Sequence, residues 1–470
     1  MIMAPQGTWV AQRDYGPNSR MVWRNVATTP HDVEHMYLYI SRAPDGTLQA
    51  FLRNPEQNAG ARVGTRTVVI SGNAVQLERP SADPISGTIS SGGNTLTLND
   101  PGLPGPFAFT RAPMITALAP FRDHQPQQRN DGWQTGTLAS AAIDPNAIAQ
   151  IVNAIRNTTP APRAPYIQSL LIARHGKLVL DEYFNDFTVA RPHDVRSAGK
   201  SVTTLMVGRA VQDSRAFSPQ TRIATLLTQY APFANDSPQK EAITIANLMS
   251  MSAGYACDDN ADNSPGGEDT MQSQTAQSDW YKYTLDLPML FAPGSRALYC
   301  SAEINLLGAI VSKETRTPLT TYFDRRFADP MQFGAYGMFL MPPPTNAAYM
   351  AGGDHFLPRD FLKFGQLLLN NGKWHNAQII DPVWLVDITT KHSYVEGGGG
   401  DYGYGWHLEM YTVGGRTIRA FNAGGNGGQL MYVFPDLDMA VMITAANYGQ
   451  FPVWSAFETQ LVPQILAAVK

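Results

Sequence analysis

The sequence predicts an α+β protein in two parts, an all-β N-terminal domain over residues 1–125 and a mixed domain over residues 126–470. Three observations carry this prediction. The first part consists of short apolar runs that alternate with turn residues and shows no helical period. A polar stretch with two prolines, "PFRDHQPQQRNDGWQTG", marks the change. Beyond it, strand hairpins near both ends each lie beside a terminal helix, which is typical of one antiparallel sheet covered by helices.

Two hairpins can be identified in the first part. "HMYLYISRAPDGTLQAFLRN" turns at Asp45-Gly46, and "RTVVISGNAVQLE" turns at Gly72-Asn73. Such residue pairs tolerate the backbone conformation that tight hairpin turns require, and the flanking apolar residues alternate as in half-buried strands. This part is therefore predicted to be a lipocalin-like barrel or a β-sandwich.

The mixed part begins with a helix. "PNAIAQIVNAIRN" places one apolar face on the residues Ile148, Ile151, Val152 and Ile155. Hairpins follow at His175-Gly176 and at Pro435-Asp436, and "PVWSAFETQLVPQILAAV" closes the chain as an amphipathic helix. We expect one antiparallel sheet flanked by helices and divided by a mainly helical insertion.

Composition limits the partners of this protein. The chain has 470 residues, 43 % of them hydrophobic, and a formal net charge of -4, which gives no reason to expect nucleic acid or an acidic membrane surface. No stretch reaches the ~18–20 apolar residues of a membrane span. Only 16 % of residues are charged, against ~25 % in an average domain, which favours a periplasmic or secreted protein whose signal is absent from this chain. A cytoplasmic location and a homo-oligomer stay open.

The stretch "DVRSAGKSVTTLMVG" places Ser197 and Lys200 three residues apart, just before an apolar run with helical spacing. Side chains at i and i+3 share a helix face, so the amine would lie against the Ser197 hydroxyl. A lysine acts as a base only if its pKa falls from ~10.4 to 7 or 8, which costs about 4 kcal/mol. The helix N-terminus supplies ~0.3–2 kcal/mol, so burial must supply the rest.

The spacing alone is not specific, because "SPQK" repeats it at Ser237 and Lys240. Ser237 precedes a proline in a polar segment, whereas Ser197 stands at the head of the helical run. An ordinary helix cap with a solvated lysine also fits the residues around Ser197. A functional serine at this position therefore predicts a buried Lys200.

Two later segments favour the functional interpretation. "FAPGSRALYCSAEINLLGAIVSKETRTPL" carries Tyr299 just before a helix, and "FNAGGNGGQLMYVFPDLDMAVMITAANYG" is a glycine-rich approach to a hairpin. With "HDVRSAGKSVTTLMVG", they stand in the order typical of the serine β-lactamase and penicillin-binding-protein superfamily. From about residue 131 to the end the chain resembles this superfamily, most closely its class C-like esterases and nylon-oligomer amide hydrolases. The resemblance implies a β-lactamase/transpeptidase-like fold.

The resemblance also implies roles for single residues. Ser197 corresponds to the nucleophile, Lys200 to its base and Tyr299 to the tyrosine of the second family motif. Ser197 would attack an acyl carbonyl, and Lys200 and Tyr299 would pass its proton to the leaving group. Ser301, two residues beyond Tyr299, is expected to face the pocket as a hydrogen-bonding residue.

The third family motif, Lys-Thr-Gly or His-x-Gly, falls on Ala423-Gly424-Gly425, which we expect to bind substrate. Its first residue is Ala423, so the cation that holds a penicillin carboxylate in the family is missing. The next residue, Asn426, is expected to contribute a backbone N–H to the oxyanion hole, paired with the N–H of Ser197. Each such donor is worth ~3–4 kcal/mol of barrier.

The chain has two cysteines, and in the family the segments that hold them border the cleft. A Cys257–Cys300 disulfide would close a loop of about 40 residues and contribute ~3–4 kcal/mol, and two free buried thiols remain the alternative. The "HDVEH" stretch from His31 to His35 matches an inverted zinc-protease pattern, but a proline precedes it and a strand follows. His193 is expected to be structural or to lie at the rim. Neither a metal nor a cofactor is expected.

We therefore expect a serine hydrolase, a carboxylesterase or amidase, that cleaves small, mostly uncharged acyl substrates through an acyl-enzyme on Ser197. A β-lactamase or D-amino-acid peptidase is the alternative, which Ala423 disfavours. A catalytically weak ligand-binding or sensor protein is a second alternative, because the N-terminal part resembles a lipocalin-like or sandwich ligand binder. The intact set of Ser197, Lys200 and Tyr299 argues against it.

Overall fold

The computed structural model describes residues 6–56, 64–79, 83–100, 105–112, 119–273 and 279–470. Its described parts form an N-terminal β-barrel, a nine-stranded sheet with helices on both faces, a helical insertion and a small four-stranded sheet. No helix in the described ranges is both long and apolar enough to cross a membrane. The predicted α+β class is confirmed.

The N-terminal part is a closed barrel in which the strand order β1-β3-β4-β5-β6-β7-β8-β9 ends with β9 paired to β1. The barrel strands are β1 (Gly7–Pro17), β3 (His31–Arg42), β4 (Leu48–Arg53), β5 (Arg66–Ser71), β6 (Ala74–Leu77), β7 (Ile85–Ile89), β8 (Thr95–Asn99) and β9 (Phe107–Arg111). Strand β2 (Met21–Arg24) lies in the connection between β1 and β3 and belongs to another sheet. Both predicted hairpins are confirmed as β3–β4 and β5–β6. The described strands close into a barrel rather than a β-sandwich, and the lipocalin-like character of this part stays a prediction. Its interior is a packed apolar core that includes Trp9, Leu38, Leu77 and Phe109.

The large sheet has the strand order β10-β12-β11-β23-β22-β21-β20-β19-β18, and the small sheet has the order β13-β15-β14-β2. Their remaining strands, with the separate pair β16–β17, are β10 (Gln134–Thr135), β11 (Ile167–Arg174), β12 (Lys177–Tyr183), β13 (His193–Asp194), β14 (Tyr336–Phe339), β15 (His355–Phe356), β16 (Lys373–Trp374), β17 (Ala377–Gln378), β18 (Ser393–Val395), β19 (Gly400–Tyr402), β20 (His407–Val413), β21 (Arg416–Gly425), β22 (Gln429–Phe434) and β23 (Met439–Ala445). Antiparallel pairing of β11 with β23 joins the two predicted hairpins into one sheet, as expected.

Helices cover both faces of the large sheet and fill the insertion. They are α1 (Pro145–Arg156), α2 (Gly199–Ser214), α3 (Ile223–Leu226), α4 (Pro238–Glu241), α5 (Ile245–Met249), α6 (Glu268–Ser273), α7 (Trp280–Asp286), α8 (Ser301–Thr315), α9 (Leu319–Phe323), α10 (Pro358–Leu369), α11 (Pro382–Ile388), α12 (Phe451–Ala456) and α13 (Val462–Ala467). A π-helical turn over Phe457–Leu461 joins α12 to α13, so the closing helix is continuous.

Alternate residues of β11 separate two cores. Leu170 and Ile172 pack in the core that holds α1 and α13, whereas Leu171 and Ala173 belong to the core that holds α2 and α8. The period of two along a strand produces this division, because successive side chains point to opposite faces. The long apolar helices α2 and α8 are thereby buried between the sheet and the insertion, and each carries part of the site at its first turn.

Candidate active site

The turn before α2 holds Ser197 in a constrained position. Strand β13 leads into a short 3₁₀ turn, Arg196–Ala198, and Arg196 has a positive φ of 50°. This conformation is costly for a residue with a side chain and needs support from its surroundings. Asp194 supplies it, because one carboxylate oxygen accepts from the Arg196 amide at 2.8 Å and the other contacts Arg196 Nε at 2.9 Å.

Lys200 lies directly against the Ser197 hydroxyl. Its Nζ donates to Ser197 Oγ at 2.8 Å and to the carbonyl oxygen of Ala351 at 2.8 Å. The Nζ also lies 4.9 Å from the ring centroid of Tyr299, and the Lys200 side chain is only 1 % exposed. Ser197, Tyr299 and Ala351, which are far apart in the sequence, thus lie around one amine. Lys200 is also buried, as a functional serine at position 197 requires.

Ser237 and Lys240, which have the same spacing as Ser197 and Lys200, are arranged differently. Ser237 Oγ accepts from the Lys240 amide at 3.1 Å and caps α4, while Lys240 Nζ donates to the carbonyl oxygens of Ala234 and Leu285. The Ser237 hydroxyl is therefore occupied as a helix cap and does not face the amine.

The pKa of Lys200 is shifted in the direction opposite to the expectation. Burial is the strongest influence and lowers the pKa of Lys200, but Tyr299, Glu268 and Asp259 together outweigh it and raise this pKa above its usual value. The sequence argument expected burial to lower this pKa, and the net direction is the opposite because these three groups outweigh burial.

Two carboxylates lie behind Tyr299. The Glu268 amide donates to Asp259 at 2.8 Å, and the Asp259 amide donates to the Tyr299 carbonyl at 2.8 Å. Burial and the nearby Glu268 raise the pKa of Asp259 to about 6, although Lys200 opposes the shift. This pair makes the neighbourhood of Lys200 electronegative.

Ser301 takes a position that the motif did not indicate. It is fully buried at the first turn of α8, where its amide and its hydroxyl donate to the same oxygen of Asp259 at 2.8 and 2.6 Å. The structure therefore gives Ser301 a bond that anchors the Asp259 loop to α8. A substrate contact by this hydroxyl stays a prediction.

The two cysteines form a disulfide between Cys257 and Cys300, with the Cα atoms 5.6 Å apart. Cys300 follows Tyr299 directly, and Cys257 lies two residues before Asp259. The bond therefore ties the tyrosine segment to the acidic loop at the same side of the site, and of the two alternatives for the cysteines the structure contains the disulfide.

The glycine-rich segment reaches the nucleophile from the sheet. Ala423 is buried on β21, and a Cβ on Gly425 would lie 3.1 Å from the Ala198 amide and closer than 3.0 Å to the Val195 carbonyl oxygen. Strand β21 thus packs its backbone directly on the turn that carries Ser197. Asn426 follows, with its side-chain oxygen accepting from the Gly449 amide at 2.8 Å.

His407 completes the wall between β21 and Tyr299. Its ring stacks on that of Tyr299 at 6.4 Å between centroids, and its Nδ1 donates to the Gly399 carbonyl at 3.0 Å. Burial lowers the pKa of His407, so the ring is neutral at neutral pH. Sequence reasoning missed this residue, although its position directly after the glycine- and aromatic-rich stretch "YGYGW" was a usable signal.

Asp354 is a second residue that sequence reasoning missed. It is 3 % exposed, its backbone oxygen accepts from the Val195 amide at 2.9 Å, and its carboxyl lies beneath Gly199 at the start of α2. Burial and the nearby Asp194 raise the pKa of Asp354 well above its usual range. The glycine pair Gly352-Gly353 before it was the only local signal of a close backbone approach.

The remaining histidine predictions concern residues away from Lys200. His31 and His35 lie on β3 and pair with Asp14 at 2.7 Å and Glu56 at 2.9 Å. His193 is buried on β13 and contacts Gln168, which makes it a structural residue. Within the described ranges no group of three or more acidic, histidine or cysteine side chains is arranged to hold a metal ion.

A family model described as Beta-lactamase matches residues 168–452, which is more than half of the chain. This match includes the Ser197 turn, Tyr299 and the glycine-rich segment. The chain therefore belongs to the beta-lactamase family of serine hydrolases, and the resemblance inferred from the motifs is confirmed.

Solved structures share the fold at low sequence identity. EstCE1, a hydrolase with promiscuous acyltransferase activity, is 17 % identical with a TM-score of 0.52, over 71 % of this chain and 98 % of that protein. A penicillin-binding-protein homologue from Caulobacter crescentus is 15 % identical with a TM-score of 0.53, over 69 % and 97 %. A mutant simvastatin synthase from Aspergillus terreus is 13 % identical with a TM-score of 0.53, over 69 % and 96 %. A search of the curated proteins found no match.

Proposed function

We propose that this protein hydrolyses ester or amide bonds of small, mostly uncharged acyl substrates through an acyl-enzyme on Ser197. The observation that carries the proposal is the 2.8 Å bond from the buried Lys200 amine to the Ser197 hydroxyl, with the Tyr299 ring beside the same amine. A nucleophile held against a charged group and a second proton carrier is the arrangement that acyl transfer requires.

The proposed first step transfers one proton. Ser197 Oγ forms a bond to the acyl carbonyl carbon and loses its proton to the pair formed by Lys200 and Tyr299. The raised pKa of Lys200 favours keeping a proton on the amine, where its charge stabilises the reacting oxygen. Tyr299 then returns the proton to the leaving alcohol or amine as the acyl bond breaks.

The second step hydrolyses the acyl-enzyme. The Lys200–Tyr299 pair takes a proton from water, whose oxygen attacks the acyl carbon, and Tyr299 returns that proton to the Ser197 oxygen as the acyl–oxygen bond breaks. In both steps the oxyanion is assigned to the backbone N–H groups of Ser197 and Asn426. The tight packing of Gly425 on the Ser197 turn supports this assignment, because it holds the two segments in register.

The charges around the site favour uncharged acyl groups. Ala423 stands where the family places a cation, and the acidic side chains of Asp259 and Glu268 lie on the Tyr299 side of Lys200. A substrate carboxylate loses several kcal/mol of hydration on burial unless cations or several donors receive it. A neutral ester or amide avoids that loss and uses the same nucleophile.

A substrate panel tests the proposal. We expect turnover of short-chain p-nitrophenyl esters, with linear amide dimers and D-amino-acid amides as further candidates and nitrocefin as the β-lactam probe. A kcat/KM for penicillins or nitrocefin well above that for every neutral ester would replace the proposed substrate class by the β-lactamase alternative. Adding alcohol acceptors distinguishes hydrolysis from acyl transfer, the activity named for EstCE1.

Labelling identifies the nucleophile. A fluorophosphonate adduct is expected on the peptide that contains Ser197, and Ser197→Ala should lose both labelling and turnover while the fold is retained. The matched control is Ser237→Ala, which has the same spacing to a lysine but removes only a helix cap worth ~1 kcal/mol. An adduct on Ser237, or no adduct and no turnover in the wild type, would refute the assignment.

A further inference from the structure

Strand β2 leaves the N-terminal barrel and joins the catalytic domain. The connection between β1 and β3 pairs antiparallel with β14, with Trp23 opposite Gly337 and Met21 opposite Phe339. It forms one edge of the four-stranded sheet in which β15 and then β13 follow. A segment of the first 125 residues is therefore a structural member of the second part of the chain.

The opposite edge of this sheet runs into the nucleophile turn. Strand β13 pairs with β15 through His193–Phe356 and Asp194–His355, and the next amide, that of Val195, donates to the Asp354 carbonyl at 2.9 Å. Ser197 follows two residues later. Strand β15 and the residue before it are thus hydrogen-bonded to the segment that leads into the nucleophile turn.

The connection from β14 to β15 also carries the acceptor of the catalytic amine. The Tyr349 amide donates to the Phe339 carbonyl at 2.8 Å, and two residues further on Ala351 accepts from Lys200 at 2.8 Å. A Cβ on Gly353 would lie 3.1 Å from Phe339 Cβ, so this connection packs closely on the end of β14.

Side chains from the barrel connection fix β14 on its outer side. The Trp23 ring packs against Gly337, which has no side chain, and the centroids of the Trp23 and His355 rings are 5.7 Å apart. Arg20 forms two hydrogen bonds with Leu340. The Arg20 carbonyl accepts from the Leu340 amide at 2.7 Å, and Arg20 Nε donates to the Leu340 carbonyl at 3.0 Å. The Arg20 guanidinium also covers the Phe339 ring at 4.3 Å.

We propose that Arg20 and Trp23 are positioning residues for the active site, and that the barrel domain acts in catalysis by holding β14 and β15. This inference rests on the proposed function, because it assigns these residues to the Ser197–Lys200 site. They touch neither Ser197 nor Lys200. They act through the Ala351 carbonyl, which orients Lys200, and through the Asp354 carbonyl, which anchors the Ser197 turn.

A double-mutant cycle tests the proposal in the full-length chain. A Cβ on Gly337 would lie 2.9 Å from the Trp23 ring, so Gly337→Ala must displace this ring, whereas its 2.8 Å contact with the terminal methyl of Met21 can be relieved by rotation of that flexible side chain. We expect kcat to fall ~10- to 100-fold, the loss associated with a misplacement of about 1 Å, with little change in KM. Trp23→Ala removes the ring that the new methyl meets, so Gly337→Ala should then cost much less in that background.

The matched control loses a barrel contact elsewhere. Tyr37→Phe removes the 2.6 Å bond from the Tyr37 hydroxyl to Asp186, which also joins the barrel to the catalytic domain. We expect its kcat to equal that of the wild type. An equal fall in kcat in Tyr37→Phe and Gly337→Ala would show general loosening of the domains and overturn the proposal, as would a wild-type kcat in Gly337→Ala.

Hydrogen exchange gives a readout that does not depend on turnover. In Gly337→Ala, peptides covering residues 193–199 and 350–355 should exchange faster than in the wild type, whereas peptides of α1 should not change. Unchanged exchange in both site peptides would overturn the positioning role. If the wild type has no activity and no Ser197 label, the proposed function fails, and the exchange data still decide whether β2 holds the turn.

Discussion

Gly425 is the position where a single methyl group tests the active-site geometry most directly. In Gly425→Ala the new Cβ would lie closer than 3.0 Å to the Val195 carbonyl oxygen and 3.1 Å from Arg196 Cβ and the Ala198 amide. All three atoms belong to the backbone or to the root of a side chain in the nucleophile turn, so rotation of a flexible side chain cannot relieve the overlap. Strand β21 and the turn must separate.

The required separation sets the expected loss. Restoring ordinary contact with the Val195 oxygen needs a shift of about 1 Å. A misplacement of that size near reacting groups costs ~100-fold in rate, and loss of one oxyanion donor costs a comparable ~100- to 1,000-fold. We therefore expect kcat for a p-nitrophenyl ester to fall by at least ~100-fold, with a smaller change in KM.

The neighbouring glycine provides the comparison. A Cβ on Gly424 meets nothing closer than 3.6 Å, so the same substitution there makes only ordinary contacts. Steady-state kinetics and the rate of fluorophosphonate labelling should show a much larger loss in Gly425→Ala than in Gly424→Ala, with both proteins folded by circular dichroism. Equal losses, or wild-type kcat in Gly425→Ala, would refute the argument that β21 and the turn act as one unit.

Three further predictions concern charge and the disulfide. Burial lowers the pKa of His193 to about 4 from a usual 6.5, so the unfolded chain binds more protons at this residue between these values. His193 should therefore contribute about 3 kcal/mol to the stability lost as pH falls from 7 to 4, measured by urea titration as the part of the loss that His193→Gln removes. Asp259→Asn removes a charge that raises the Lys200 pKa, so the alkaline limb of the kcat/KM profile should move to lower pH; an unmoved limb contradicts the coupling. Reducing the Cys257–Cys300 bond, whose cysteines are 43 residues apart, should cost about 4 kcal/mol of unfolding free energy, and intact mass after alkylation should show two additions only when a reductant is present.

The elements that the sequence predicted correctly are those with a strong local signal. Hairpins at Asp45-Gly46 and His175-Gly176 follow from turn residues between alternating or continuous apolar strands, and α1 follows from its apolar face. The pairing of Ser197 with Lys200 also follows locally, because residues three apart share one helix face. These properties depend on backbone preference and short-range spacing, which the sequence contains in full.

The tertiary structure alone decided which groups surround Lys200. Tyr299, Glu268 and Asp259 lie on distant segments, and no local pattern reports that they raise the pKa of Lys200 against the lowering effect of burial. The Ala351 carbonyl that accepts from the amine also comes from a distant segment. The same holds for β2, which reads as one more N-terminal strand but pairs with β14. A pKa depends on all charges within several ångströms, and strand pairing depends on which edge is free, so both are properties of the assembled molecule.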